Sequence, residues 1–259
     1  MEHFSGKKQM KKNIELVCLI FKSKKYLNFI YNQLNSVLCK SKDWDVSYRI
    51  VANDPTPEIE TMLTEMQIPH TIYRDKSPND FYLNRVYRCW NFGATSSKYD
   101  NICFVNSDMG FSPDWLDNLL KYHDGINIPC SRLVESGRIN VATERHGIPK
   151  NFGMTPESFN RAEFEKYAET ISKDEIKPWG LFMPCVFEKQ RFIEAGLYPP
   201  GNVFKIDGVK YAGYPNDRPV YKPGDVYFFE DILEKKYGMK HVTAMNSIVY
   251  HVQEGEKSE

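Results

Sequence analysis

Short apolar runs alternate with amphipathic stretches through the first hundred-odd residues of this 259-residue chain, and that alternation restricts the fold more than any other feature. Ile14 to Phe21 is a compact apolar strand candidate. Tyr26 to Leu38 places Tyr26, Leu27, Ile30, Leu34 and Leu38 at helical spacing. Val46 to Val51 reads as a second strand, closed by Ala52-Asn53-Asp54-Pro55. Pro57 to Met66 reads as a short helix and His70 to Tyr73 as a third strand. Asp80 to Ser97 is a helix candidate with Leu83, Val86, Trp90 and Ala94 on one face, and Ile102 to Val105 is the next strand. Strands that alternate with helices imply a mostly parallel central sheet flanked by helices, an α/β architecture.

The second half is less regular. Asn127 to Leu133 and Leu181 to Phe187 read as strands, and Glu144 to Met154 is loop-like. Phe159 to Ile171 is a charged amphipathic helix, and Glu188 to Ala195 a helix stopped by Gly196. Lys205 to Pro223, rich in Gly, Pro, Tyr and Asp, reads as a long functional loop. Val226 to Tyr237 is a final helix with Gly238 at its C-cap, and Val242 to His251 a closing strand. With no repeat and no linker, the expectation is a single domain over 13–251 with two halves, 13–110 and a mixed half over 111–251. Residues 1–12, with four lysines, read as a disordered leader, and 252–259 as a tail.

Composition narrows the function. Hydrophobic residues make up 41% and aromatics 14%, enough for a core without staples. Lys+Arg and Asp+Glu are both 34, and a chain of zero formal net charge is not a dedicated nucleic-acid binder. The six cysteines are scattered with no CxxC pair, which argues against a zinc site and fits a reducing, cytoplasmic setting. Cys18 and Cys103 lie inside apolar runs and read as buried thiols. No apolar run approaches the ~20 residues of a membrane span, so any membrane contact would be peripheral.

The sharpest chemical signal is Asn101-Ile102-Cys103-Phe104-Val105-Asn106-Ser107-Asp108-Met109. An apolar strand ends abruptly in Asn-Ser-Asp, and Ser112-Pro113-Asp114-Trp115-Leu116 then starts a helix. A buried strand that delivers an acidic residue to its carboxyl end is how α/β proteins place a metal ligand in a crevice. The same three residues would also serve as a plain turn before a helix.

From about Ile14 to His251 the chain resembles the family 2 glycosyltransferases and their wider GT-A, Rossmann-like fold. Leu19-Ile20-Phe21-Lys22 through Tyr26-Leu27 resembles the opening strand and helix of that family. Val51-Ala52-Asn53-Asp54-Pro55-Thr56 resembles its base-holding turn, and Trp90-Asn91-Phe92-Gly93 its Asn-x-Gly step, with Trp90 where an arginine is usual. Asn106-Ser107-Asp108 stands at the Asp-x-Asp signature with an amide for one carboxylate. Phe111 to Leu116, then Gly224-Asp225, Gly238 and Tyr250-His251, resemble the later segments. The resemblance makes 13–110 the nucleotide-sugar half and 111–251 the mixed acceptor-side half.

The resemblance implies a nucleotide-sugar donor and a divalent cation, Mn²⁺ or Mg²⁺, which stabilises the leaving diphosphate as a Lewis acid. Asp108 and His251 are the implied metal ligands, while Asn106 and Ser107 would touch the ribose or hold the ion through water. Phe21, Lys22, Asn53 and Asp54 are implied around the nucleotide; Asn53 and Asp54 would equally make an Asx turn before Pro55. Arg85, Arg88 and Asn91, spaced by three, share a helix face that would approach the diphosphate or stay solvated. Inverting transfer needs a general base, and the candidates are Asp225, which would also make an N-cap, and Asp231 in the Glu230-Asp231 pair. Trp179-Gly180 would line the acceptor side or pack in the core, and the loop with Tyr211, Tyr214 and Tyr221 would form an acceptor lid or equally a packed surface loop.

The expected function is therefore transfer of a sugar from a UDP-, GDP- or dTDP-sugar to a hydroxyl of a glycan, lipid-linked or protein acceptor. Two rivals remain at the level of sequence. Asn106 and Met109, in place of acidic residues, fit a degenerate nucleotide-sugar or glycan-binding module. A nucleotidyltransferase is disfavoured because Phe21-Lys22-Ser23-Lys24-Lys25 has lysines but no phosphate-cradling glycine.

Overall fold

The computed structural model describes residues 11–36, 43–137, 142–209 and 219–252. The first half alternates as its periodicity predicts. In order come β1 (Lys12–Ile20), α1 (Lys24–Asn35), β2 (Trp44–Asn53), α2 (Pro57–Glu65), β3 (His70–Tyr73), α3 (Tyr82–Thr95) and β4 (Asn101–Val105). Ser23 caps α1 and Thr56 caps α2, where Pro57 fits the first turn because its missing N–H would be unpaired there anyway. The second half adds β5 (Met109–Phe111), α4 (Trp115–Leu120), β6 (Asn127–Glu135), β7 (Ile148–Pro149), α5 (Arg161–Ile171), β8 (Ile176–Pro178), β9 (Cys185–Glu188) and α6 (Lys189–Glu194). A hairpin of β10 (Val203–Val209) and β11 (Val220–Lys222) follows, then α7 (Gly224–Tyr227) and β12 (Lys240–His251).

The main sheet runs β3-β2-β1-β4-β9-β6-β12-β5, with β7 beside β6 and β8 beside β12. β1 pairs in parallel with β2 on one side and β4 on the other. The chain leaves β1 toward β2 and β3, then returns to β4 across β1. This reversal opens a crevice at the carboxyl ends of β1 and β4, the place where α/β sheets bind ligands. Only β9, β5 and β8 run antiparallel to their main-sheet neighbours.

Packing explains the continuous apolar runs. β4 is buried at all five residues, as expected for a strand covered on both faces. α3 lies over β1 and β2, and Gly93 is what lets it approach: a Cβ there would sit 2.6 Å from Val17 Cγ1. That is the physical content of the Asn91-Phe92-Gly93 step. Beneath it Arg49 forms a two-pronged pair with Glu15 at 3.1 and 2.9 Å and donates to the Gly93 carbonyl at 2.7 Å. A second cluster, with Phe29, Val134, Phe152, Phe164 and Tyr250, ties α1 and α5 to the end of β12. Cys18, Cys89, Cys103, Cys130 and Cys185 are buried free thiols.

Several expected boundaries change. β5 and β8 are short strands that no periodicity announces. The segment around Glu144 holds a 3₁₀ turn (Thr143–Arg145) and β7. The strand expected from Leu181 begins only at Cys185, and the loop expected from Lys205 is flanked by paired strands. The last helix starts at Gly224, and Phe228–Glu234 is wound as a π-helix. The expected leader and tail lie outside the described residues, apart from Lys11, Lys12 and Val252, as do Leu38, Cys39, Tyr211 and Tyr214.

Candidate active site

Strand register assembles the centre of the site. β4 ends at Val105, and Asn106-Ser107 turn the chain so that Asp108 stands just before β5. β5 pairs with β12 so that Met109 faces His251, and β12 pairs with β6 so that His251 faces Glu135. Three residues distant in sequence therefore meet. His251 Nε2 lies 3.1 Å from Asp108 Oδ2, and His251 Nδ1 lies 2.9 Å from Glu135 Oε1. Burial alone would lower the histidine's pKa, but the Asp108 charge and the hydrogen bonds that His251 donates to both carboxylates lift it to about 10. Burial would raise Asp108, yet the charge and hydrogen bond of His251 hold it below the usual carboxylate range. Asp108 Oδ1 is buried and has no hydrogen-bond partner.

This donor set fits a divalent cation in part. Asp108 offers an unpartnered hard oxygen, and Glu135 holds His251 Nδ1 so that Nε2 faces Asp108, an orientation in which the imidazole can ligate once a cation displaces the Nε2 proton. Among the described residues no group of three or more His, Cys, Asp or Glu is placed to hold an ion. Asp108 and His251 could hold an ion between them, with its other positions open to water and substrate oxygens.

The carboxyl ends of β1 and β2 form the second wall. Lys22 Nζ lies 4.7 Å from the Phe21 ring centroid and the Arg85 guanidinium 5.0 Å from it. Arg85 also faces Asp54 at 3.8 Å. Asp54 takes a left-handed backbone (φ 48°) and accepts the Asp75 N–H at 3.0 Å. Asn53 Oδ1, Asp54 Oδ2 and Arg85 Nε are buried without hydrogen-bond partners. Such groups are rare in folded proteins, and three of them at these strand ends make a candidate ligand wall.

Two expected donor contacts are engaged elsewhere. Arg88 bridges Asp75 and Asp80, each at 2.9 Å. Asn91 clasps the Tyr198 backbone, donating to its carbonyl at 2.7 Å and accepting its N–H at 3.0 Å. Both side chains staple the fold, and Arg88 Nη2 is left buried without a hydrogen-bond partner. Spacing by three correctly put them on one face; the partners waiting there are set by the tertiary fold.

The two base candidates also separate. Asp225 is the second residue of α7, where its N–H donates to Tyr87 Oη at 3.0 Å and its carboxylate accepts the Val226 N–H at 2.8 Å. Gly224 makes this approach feasible, since a Cβ would lie 2.3 Å from the Gly201 carbonyl oxygen. Burial pushes the Asp225 pKa up, more than the hydrogen bonds from Val226 and Tyr87 pull it down. Asp231 is paired with Lys222 and Lys235, both at 2.6 Å, and these cations outweigh burial and hold its pKa low. Its oxygens are committed to the two lysines, which disfavours it as a proton acceptor. Glu230 is likewise held by Lys222 at 2.7 Å and Arg145 at 2.5 Å.

Trp179 is exposed and Gly180 buried, so the tryptophan is not a core residue. Tyr221 lies in β11 under the Lys205 ammonium. Glu135, Tyr87, Asp75 and Arg145 were not singled out in the sequence. Glu135 closes a strand and would have been found by asking which acids end strands; the others carry no local signal.

No family model and no curated protein sequence matches this chain. Solved structures do. The chain superposes on GalNAc-T7 crystallised with UDP, GalNAc and Mn²⁺ at a TM-score of 0.57 and 11% identity, covering 94% of this chain and 44% of that one. It superposes on S. aureus TarS (residues 1–349) at a TM-score of 0.54 and 10% identity, covering 93% of this chain and 60% of that one. The fold is that of the GT-A glycosyltransferases. This chain thus spans less than two thirds of the length of either solved chain. Among the described residues no helix is long and apolar enough to cross a membrane.

Proposed function

We propose that this chain is an inverting glycosyltransferase that moves a sugar from a nucleoside diphosphate sugar to a hydroxyl group. The observation that carries the reading is the Asp108-His251-Glu135 cluster at the carboxyl end of β4, with a buried, unpartnered Asp108 oxygen. It adjoins the strand crossover where this fold class takes nucleotides. Support also comes from the solved neighbour that holds UDP, GalNAc and Mn²⁺.

In this reading Asn53, Asp54 and Arg85 hold the nucleotide, with Phe21 and Lys22 beside them and Asn106 and Ser107 at the ribose. Asp108 and His251 hold Mn²⁺ or Mg²⁺, which when bound stabilises negative charge on the departing diphosphate. Asp225 takes the proton of the acceptor hydroxyl while the oxygen attacks C1 and the bond to the diphosphate breaks. A base whose pKa is raised by burial is a stronger proton acceptor than an exposed carboxylate. Acceptors of three kinds fit the reaction: a glycan, a lipid-linked glycan or a protein hydroxyl. A cytoplasmic location is part of the proposal.

Incubation of the protein with Mn²⁺ and a panel of UDP-, GDP- and dTDP-sugars tests it. Released nucleoside diphosphate supports the reading. Absence of release with every donor, together with no calorimetric binding of UDP or GDP, would sink it. Binding without any turnover would favour the glycan-binding module.

A further inference from the structure

We propose that the acceptor is a carbohydrate and that Trp179 is the platform on which its pyranose ring stacks, a specification that rests on the glycosyl-transfer reading above. Trp179 is the one tryptophan the fold leaves outside. It is 58% exposed, whereas Trp44, Trp90 and Trp115 are each 9% exposed or less. Its backbone is nonetheless fixed. The Trp179 N–H donates to the His241 carbonyl at 2.8 Å, and its carbonyl accepts the Thr243 hydroxyl at 2.6 Å. Between these bonds the residue holds φ of 62°, a left-handed conformation that is costly for a bulky side chain. Gly180 completes the grip, since a Cβ there would lie 2.4 Å from Thr243 Oγ1. β12 therefore clamps a strained turn whose exposed product is an indole face. An aromatic presented on a fixed backbone loses little entropy on binding.

Its position suits an acceptor. Arg145 donates to the Gly180 carbonyl at 3.3 Å and to Glu230 at 2.5 Å. Glu230 lies on the helical segment that opens with Gly224 and Asp225. One side chain thus ties the tryptophan turn to the helix that carries the candidate base. The surroundings favour a sugar over a peptide or lipid. Lys177 and Pro178 precede the ring, both exposed, and Lys177 pairs with Glu175 at 3.6 Å. Ile176, at 37% exposure, is the exposed apolar residue beside them. The exposed run Ile176-Lys177-Pro178-Trp179 carries a single aromatic face and a charged side chain, a smaller apolar area than a protein or membrane contact uses. It matches a ligand with one apolar ring face and a rim of hydroxyls.

Saturation-transfer NMR on the full chain, with methyl glucoside, galactoside, mannoside and 2-acetamido pyranosides, tests this against a Ser/Thr peptide and a solubilised polyprenol. At least one pyranoside is expected to bind. Trp179→Ala should weaken that binding about tenfold and Trp179→Phe should restore part of it. Both variants should keep the calorimetric affinity for UDP or GDP. Pyranoside binding that is unchanged in Trp179→Ala overturns the proposal, and so does the absence of any pyranoside binding, whatever the peptide or lipid does. Failure of the wild-type chain to bind any nucleotide is a separate result, which counts against the transferase reading itself.

Discussion

Tyr87 Oη lies 3.0 Å from the backbone nitrogen of Asp225 and also donates to the Asp225 carboxylate, so a residue of α3 fixes the first turn of the helix that carries the candidate base. The two are 138 residues apart, and the contact is closed by Gly224, which has no room for a side chain.

Asp225→Asn should reduce transfer by about 10²- to 10⁴-fold, the usual contribution of a positioned base, while leaving nucleotide binding intact. The pH profile gives a finer test. Folding raises the Asp225 pKa through burial, so activity should fall on acidification at a higher pH than an ordinary aspartate would give. Tyr87→Phe removes a hydrogen bond that favours the ionised form, and should move this acid limb of kcat/KM to still higher pH. An acid limb that stays in place in Tyr87→Phe would show that another group titrates.

Asp231→Asn should behave differently. Its carboxylate is held by Lys222 and Lys235, so the variant should lose about 1 kcal/mol of stability or less and keep most of its activity. Steady-state rates on the two asparagine variants side by side decide between the two carboxylates; a larger loss in Asp231→Asn would reverse the assignment.

Asn91→Ala should act on the fold and leave the chemistry alone. It removes both hydrogen bonds to the Tyr198 backbone and leaves buried groups unpaired, a cost of about 1 to 3 kcal/mol. Urea midpoints should drop accordingly, with nucleotide affinity unchanged in the folded fraction. Lost nucleotide affinity at unchanged stability would return Asn91 to the donor site.

The alternation of strand and helix was legible because each element repeats its apolar spacing over several residues, and β3 falls where it is expected, at His70 to Tyr73. β5 and β8 were not, since three residues cannot display a period. The candidate site was legible where a side chain lies at a strand end, as at Asn53 and His251, or in the turn after one, as at Asp108. It was illegible where register decides: Glu135 reaches His251 only because β6 and β12 pair in parallel. Arg88 and Asn91 show the same divide, because helical spacing gives their face while Asp75 and Tyr198 come from elsewhere in the fold.

His241 offers a pH test of stability that is independent of function. It is buried among Phe182, Phe229 and Cys130, and burial lowers its pKa from 6.5 to about 4. The unfolded chain takes up this proton on acidification before the folded one does. Stability should therefore be unaffected by His241 above pH 6.5, fall between 6.5 and 4, and level off below, by on the order of 3 kcal/mol in all. The difference in urea stability between wild type and His241→Leu, followed across that window, should shrink by this amount as the pH falls. A constant difference would mean that the histidine titrates normally in the fold.

The most direct measurement is Mn²⁺-dependent release of nucleoside diphosphate by wild type and Asp108→Ala, with circular dichroism to establish that both are folded. Wild type should release diphosphate from at least one UDP-, GDP- or dTDP-sugar only when the metal is present, and folded Asp108→Ala should have lost that dependence together with at least 10²-fold of the rate. Equal, metal-independent turnover in the two proteins would contradict the placement of the reaction at Asp108.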